Sequence, residues 1–247
     1  MPNELIQTDD GTFTLYSLKY DECYHSKRDG ALSESLYKHV VPAFSQVAKR
    51  DKISILDICF GLGYNTLATI YYCKLHGIIT PIEIVSPELD MELVRGLGKF
   101  AYPKEFEPFL DIIDQLSQNL YYKDGQFEIK ILIGDARDLL PNVPKKFDII
   151  YQDAFSSKKN MALWTLEYFQ QLHKLSNPNT ILTTYSSATS VRMGLWESGF
   201  LLYKPKDMNV RSGTIASISP LDLEPIDMVL KCQRNRDARS LRDSDLA

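Results

Sequence analysis

The chain lacks a long apolar run, an excess of positive charge and more than a handful of cysteines. No stretch approaches the roughly 18 consecutive apolar residues of a membrane-spanning helix, and residues 1–10 are polar and acidic instead of basic and then apolar. A soluble, unexported, cytoplasmic protein with no membrane contact is expected. The four cysteines, Cys23, Cys59, Cys73 and Cys232, form no C-x-x-C pair and no zinc-ligand spacing, which excludes a disulfide scaffold and points to thiols in a reducing compartment. His25, His39, His76 and His173 are not spaced as metal ligands either, so no metal is expected. A formal charge of −4 argues against general nucleic-acid binding, which needs a basic footprint to neutralise phosphates. Local patches remain: Lys27 with Arg28, Lys145 with Lys146, Lys158 with Lys159, Lys204 with Lys206 and Arg211, and the tail from Lys231 to Arg242. A solvated surface is the plainer reading of each.

What is present suits a packed enzyme-sized fold. The 247 residues, 44% of them apolar, are enough for one sizeable α/β domain with decorations. Alternation over Gly11 to Tyr20 predicts a small N-terminal β element, followed by a short helix opened by Ser33 and closed near Pro42. From Ile53 onward, strands are expected at 53–59, 82–85, 127–133, 147–152, 180–185, 201–204 and 214–218, with helical spacing between the first five. Such repetition predicts a Rossmann-like parallel sheet with helices on both faces and an antiparallel pair at one edge. Residues 88–125 read as a helical insertion. The parts would then be an N-terminal β element and flap helix over 1–50, a main domain over 51–220, and a charged tail over 221–247 that looks able to fray.

The most informative segment runs from Asp57 to Thr66, where an apolar strand enters a glycine turn and then a helix. Gly61 and Gly63 permit positive φ and close backbone approach. A lone G-x-G is compatible with a dinucleotide, another nucleotide or no ligand, because Asn65 and Thr66 stand where a third glycine would be sought. The acidic Asp57 suits a cationic ligand such as S-adenosylmethionine. In an open parallel sheet ligands bind outside the carboxyl ends of the strands, and three later strand ends also carry acids. Glu88 can accept hydrogen bonds from both hydroxyls of a ribose, or sit at a helix N-terminus. Asp135, after Gly134 and before Ala136, can cap a helix and also meet an adenine amine. Asp153 is placed to orient an acceptor amine and take its proton. His25 gets low weight as a catalyst, since a lone histidine is more often structural. Trp164 and Trp196 read as core residues of helices.

These residues resemble the methyltransferase domain of the MnmC-type tRNA wobble-uridine modification enzymes. The likeness is carried by Tyr24-His25-Ser26, Gly30-Ala31-Leu32-Ser33-Glu34-Ser35, Gly61-Leu62-Gly63-Tyr64-Asn65 and Gly134-Asp135. Further on it is carried by Asp153-Ala154-Phe155, Lys159-Asn160, Trp164-Thr165, Thr184-Tyr185-Ser186 and Val191-Arg192. Two departures are the loop Ala154-Phe155-Ser156-Ser157-Lys158, where many members place a proline, and the acidic overall charge, which is unusual for a tRNA enzyme. The resemblance implies methylation by S-adenosylmethionine of the primary amine of 5-aminomethyl-2-thiouridine in tRNA. It implies a stand-alone methyltransferase without the flavin oxidase domain of larger members, supplied with its aminomethyl substrate by an upstream enzyme. Within it, Asp153 is the catalytic residue, and Tyr24, Ser26, Gly30, Glu34, Asp57, Gly61, Gly63, Asn65, Glu88, Gly134, Asp135 and Ala136 hold the cofactor. Lys158, Lys159 and Arg192 contact tRNA phosphates.

Two other classes stay open from the residues. Aminopropyltransferases of polyamine synthesis use decarboxylated S-adenosylmethionine on a similar sheet, and a small-molecule amine N-methyltransferase needs the same parts. Lys158 and Lys159 beside Asp153 suit a phosphate-bearing acceptor better than a polyamine. A binding module that keeps the sheet without the acceptor site is the third reading, against which the intact Asp153 argues.

Overall fold

The computed structural model describes residues 4–47, 50–206 and 213–246; Arg211, one of the candidate basic residues, lies outside them. A three-stranded antiparallel sheet comes first, from β1 (Glu4–Gln7), β2 (Phe13–Ser17) and β3 (Glu22–Cys23). The main sheet has eight strands: β4 (Ile53–Ile58), β5 (Ile82–Glu88), β6 (Tyr121–Lys123), β7 (Phe127–Ile133), β8 (Phe147–Gln152), β9 (Ser176–Thr184), β10 (Leu201–Tyr203) and β11 (Thr214–Ser217). Their spatial order is β10-β11-β9-β8-β4-β5-β7-β6, with β7, β5, β4, β8 and β9 parallel. Both edges are antiparallel. The edge strand β6 is not predicted from sequence, because its three residues follow directly on a helix and show no alternation long enough to read.

The order puts a switch point between β4 and β8: the chain builds outward from β4 through β5 to β7, then returns to add β8 and β9 on the other side. Crossovers leaving in opposite directions open a crevice at the strands' carboxyl ends. Two apolar layers hold the sheet, because successive residues of a strand face opposite sides. Ile53 and Ile55 of β4 pack in one layer, while Leu56 and Ile58 pack in the other.

Helix α1 (Ala31–Glu34) continues without a break through a π-helical stretch, Ser35–Val40, into α2 (Val41–Phe44). The helix predicted to close near Pro42 therefore runs past it. The wide π turn lets Pro42 fall in the first turn of α2, where a missing N–H costs little. Helix α3 (Tyr64–Leu75) buries Leu67, Ala68 and Ile70 in the first layer. The insertion after β5 holds α4 (Met91–Gly96) and α5 (Leu110–Asn119), whose Ile112, Ile113 and Leu116 join the same layer. After β7 comes the short α6 (Ala136–Leu139). The second layer is covered by α7 (Leu166–Lys174), α8 (Thr189–Glu197) and α9 (Met228–Arg234).

The charged tail does not hang free. Leu241 bridges Thr165, and the Asp243 carboxylate pairs with the Arg137 guanidinium. Arg242 pairs with Glu167 at 2.8 Å. A run of charges looks solvated in sequence, but here opposite charges on α6 and α7 meet it. Of the two tryptophans, Trp164 is fully buried, whereas Trp196 is 39% exposed near the end of α8.

Candidate active site

Three left-handed residues after β4, Cys59, Gly61 and Gly63, swing the chain sharply into α3. Gly61 tolerates this conformation without strain, and a Cβ there would come 3.3 Å from the Tyr24 ring. Gly63 caps α3 at φ 73°, with the Phe60 ring 3.0 Å from where its Cβ would be. The result is an open floor beneath a cavity of about 1110 Å³ at the carboxyl ends of β4, β5, β7 and β8.

One end of the cavity is built for a nucleoside. Glu88 closes β5, its Oε2 accepting from the Gly61 amide and its Oε1 from the Asp90 amide, both at 2.8 Å. Burial pushes its carboxyl above the ordinary value, partly offset by those two amides. Each oxygen keeps a lone pair beyond the amide it binds. Asp135 caps α6 by accepting from the Arg137 amide with Oδ1 at 2.8 Å, and its exposed carboxylate borders the cavity beside Gly134 and Ala136.

The middle of the cavity is backed by a chain of buried acids. Asp57 on β4 is wholly buried and accepts from Thr66 Oγ1 at 3.0 Å and Asn65 Nδ2 at 3.3 Å. Burial, opposed by those donors and reinforced by the Asp153 charge, pushes it up to about 7. The same Asn65 Nδ2 donates to Asp153 Oδ2 at 2.9 Å, so one amide group bridges two carboxylates. Asp153 Oδ1 lies 3.3 Å from His39 Nε2. Burial acts to raise the Asp153 carboxyl, but the His39 and His25 rings and the Asn65 amide outweigh it and hold it below its usual range.

The third wall comes from the N-terminal segment. Tyr24, His25, Ser26 and Glu34 border the cavity, and Glu34 Oε2 accepts from the Ser26 amide at 2.6 Å. Lys38 bridges Glu34 and Asp29, at 2.7 Å to each. Its pKa is raised, because those two carboxylates outweigh the burial that acts to lower it. At the mouth the Tyr20 ring stacks on Phe155 at 4.5 Å, and Tyr24 meets Phe155 edge-on at 4.8 Å.

The structure thus gathers Asp153, Tyr24, Ser26, Glu34, Gly61, Asn65, Glu88, Gly134, Asp135 and Ala136 around one cavity, while Gly30, Asp57 and Gly63 stand behind its wall. Gly30 serves the packing of that wall: at φ 86° any Cβ would collide with the Asp10 carboxylate. The basic candidates fare differently. Lys158 is exposed, and Lys159 pairs with Asp21 at 2.7 Å, fixing the loop after β8 to the β2–β3 turn. Arg192, assigned from sequence to a phosphate, points inward instead: Nε donates to Thr214 Oγ1 at 2.9 Å and a terminal nitrogen to the Gly213 carbonyl at 3.0 Å. Lys38 and His39 were not singled out as site residues. The spacing of Lys38 four residues after Glu34 was a readable signal. For His39 there was none, because only the π turn and the sheet bring it to Asp153.

Over 98% of its length the chain matches the crystal structure of MnmC2 from Aquifex aeolicus, with a TM-score of 0.87 and 31% sequence identity, covering 79% of that chain. The protein belongs to the MnmC2 family. Residues 104–220 of this MnmC2-family chain also match a family described as S-adenosyl-L-methionine-dependent methyltransferases. An uncharacterized protein of Methanocaldococcus jannaschii is 32% identical over 220 residues, 87% of this chain and 60% of that protein. The tRNA 5-methylaminomethyl-2-thiouridine biosynthesis bifunctional protein MnmC of Cupriavidus metallidurans is 30% identical over 236 residues, 89% of this chain. The MnmC2-family chain spans only 34% of that bifunctional protein.

The family's cofactor, S-adenosylmethionine, fits the residues present. Glu88 is already oriented by two backbone amides with acceptor capacity to spare for ribose hydroxyls. The glycine floor admits close approach, and the buried acids suit a cationic group.

Proposed function

We propose that this protein transfers a methyl group from S-adenosylmethionine to the primary amine of 5-aminomethyl-2-thiouridine at the tRNA wobble position. Bound at Glu88, Asp135 and the Gly61 turn, the cofactor supplies an electrophilic methyl group. The acceptor amine must arrive neutral and aligned with that methyl. The observation that carries the reading is the Asp153 carboxylate on the wall of the cavity, which accepts from Asn65 and lies 3.3 Å from His39 Nε2. It can accept a hydrogen bond from the amine and remove its proton. The aromatic mouth of Tyr20, Tyr24 and Phe155 supports a nucleobase acceptor, because single-stranded RNA bases are commonly held by stacking on such rings. The name of the bifunctional relative points to the same nucleoside. An upstream modification enzyme supplies the aminomethyl group.

The test is methyl transfer by purified protein to tRNA from cells lacking the activity, read by mass analysis of the wobble nucleoside. A gain of one methyl on the aminomethyl uridine, lost by at least a hundredfold in Asp153→Ala with cofactor binding retained, is the expected result. Transfer of an aminopropyl group to putrescine from the decarboxylated cofactor, with no methylation of tRNA, would replace this reading with the polyamine one.

A further inference from the structure

His39 is fully buried, yet among the described residues its Nε2 has no hydrogen-bonding partner, and its polar neighbour is the Asp153 carboxylate 3.3 Å away. The ring is fixed on its other side, with Nδ1 3.2 Å from Thr183 Oγ1 on β9, and it meets the Tyr151 ring edge-on at 5.8 Å. The residue sits in the π-helical stretch, a geometry often found at functional sites. An imidazole and a carboxylate are thereby closed off together, on the inner side of the atom that must receive the amine's proton.

We propose that His39 is the proton partner of Asp153, the positioning residue that stores the proton Asp153 removes from the acceptor amine. The inference rests on the amine-methylation reading above. The proposed cycle starts from His39 with Nε2 unprotonated and its proton on Nδ1, facing Thr183 Oγ1, so that the Asp153–His39 pair carries one negative charge that attracts an ammonium. One N–H bond of the ammonium breaks, its electron pair stays on nitrogen, and the proton passes through the Asp153 carboxylate to His39 Nε2. The amine is then neutral and the pair is an imidazolium beside a carboxylate. After turnover the imidazolium returns its proton to solvent.

The groups around His39 make such storage workable. Besides Asp153 and the Tyr151 phenol at the end of β8, it shares the site with Asp57 on β4 and His25 beside β3. Asn65 and Thr69 on α3 are polar but carry no charge. On its own helix, Glu34 and Lys38 are engaged with each other. The His25 pKa is lowered, chiefly by burial, despite the raising influence of Glu34 and Asp153, so His25 does not compete for the proton.

Two measurements test this. In the first, methyl transfer to undermethylated tRNA is followed from pH 6 to 10 for the wild type and His39→Gln, with cofactor affinity measured in parallel. The variant should bind S-adenosylmethionine within about twofold of wild type and transfer about a hundredfold more slowly near pH 7. Its deficit should shrink as pH rises and the amine arrives already neutral. A deficit equal at every pH, or none, overturns the proposal. In the second, the histidine rings are titrated by NMR in wild type and Asp153→Asn; with four histidines the signals are few. The His39 midpoint should fall when the carboxylate becomes an amide, and an unmoved midpoint overturns the pairing. A wild type with no transfer to tRNA at any pH would sink the substrate reading, while the NMR result would still decide the pair.

Discussion

Replacing Asp57 with Asn should flatten the acid-to-neutral stability profile of the protein. Asp57 is wholly buried at the end of β4, and burial is the chief cause of its carboxyl being pushed up from 3.8 to about 7. Thr66 and Asn65 donate to it but do not cancel that effect, and the neighbouring Asp153 charge adds to it. A folded-state pKa above the unfolded one means that the folded protein binds a proton the unfolded chain releases. This contribution is complete below the unfolded value of 3.8 and is lost as pH rises through about 7. Between pH 5 and 7.5, single-site linkage with those two values amounts to about 2.5 kcal/mol. Urea unfolding of the cofactor-free protein at both pH values should show the wild type losing about that much more stability than Asp57→Asn. The comparison with the variant removes the contributions of titrating groups that do not interact with Asp57. Equal losses in the two proteins, or a wild type that gains relative to the variant as pH rises, would refute the reasoning.

Three further outcomes follow from the same geometry. Glu88→Ala should weaken S-adenosylmethionine binding by about ten- to a hundredfold in calorimetry, because hydrogen bonds to a charged acceptor contribute about 1.5–3 kcal/mol each and the Gly61 and Asp90 amides also lose their partner. Lys38→Met should cost about 3 kcal/mol in urea unfolding, since it leaves Glu34 and Asp29 close together without a cation between them. Arg192→Ala should lower the melting temperature while leaving tRNA affinity within about twofold, because the guanidinium binds Gly213 and Thr214 inside the domain; a tenfold loss of tRNA binding with unchanged melting would restore the phosphate contact.

The sequence by itself determined the sheet and the places where chemistry gathers on it. Ile53, Ile55, Leu56 and Ile58 form an apolar run whose alternate members are needed by two layers, and only a strand covered on both faces satisfies all four. Acids at consecutive strand ends, Asp57, Glu88, Asp135 and Asp153, then fall at one crevice, because parallel strands direct their carboxyl ends to the same side. These relations depend on local periodicity and the direction of the chain, which can be read residue by residue.

Tertiary structure decided how those residues are used. Asn65 bridges Asp57 and Asp153 only because the glycine turn sets the start of α3 between β4 and β8. His39 reaches Asp153, 114 positions further along the chain, only because a π turn rotates it toward the sheet. Arg192, read as a phosphate ligand from its charge, is claimed by a carbonyl and a hydroxyl at β11, and the tail's charges are met by Arg137 and Glu167. A charged side chain's role is set by whichever counter-charge or acceptor lies within a few ångströms, and that distance is fixed by packing between segments remote in the chain.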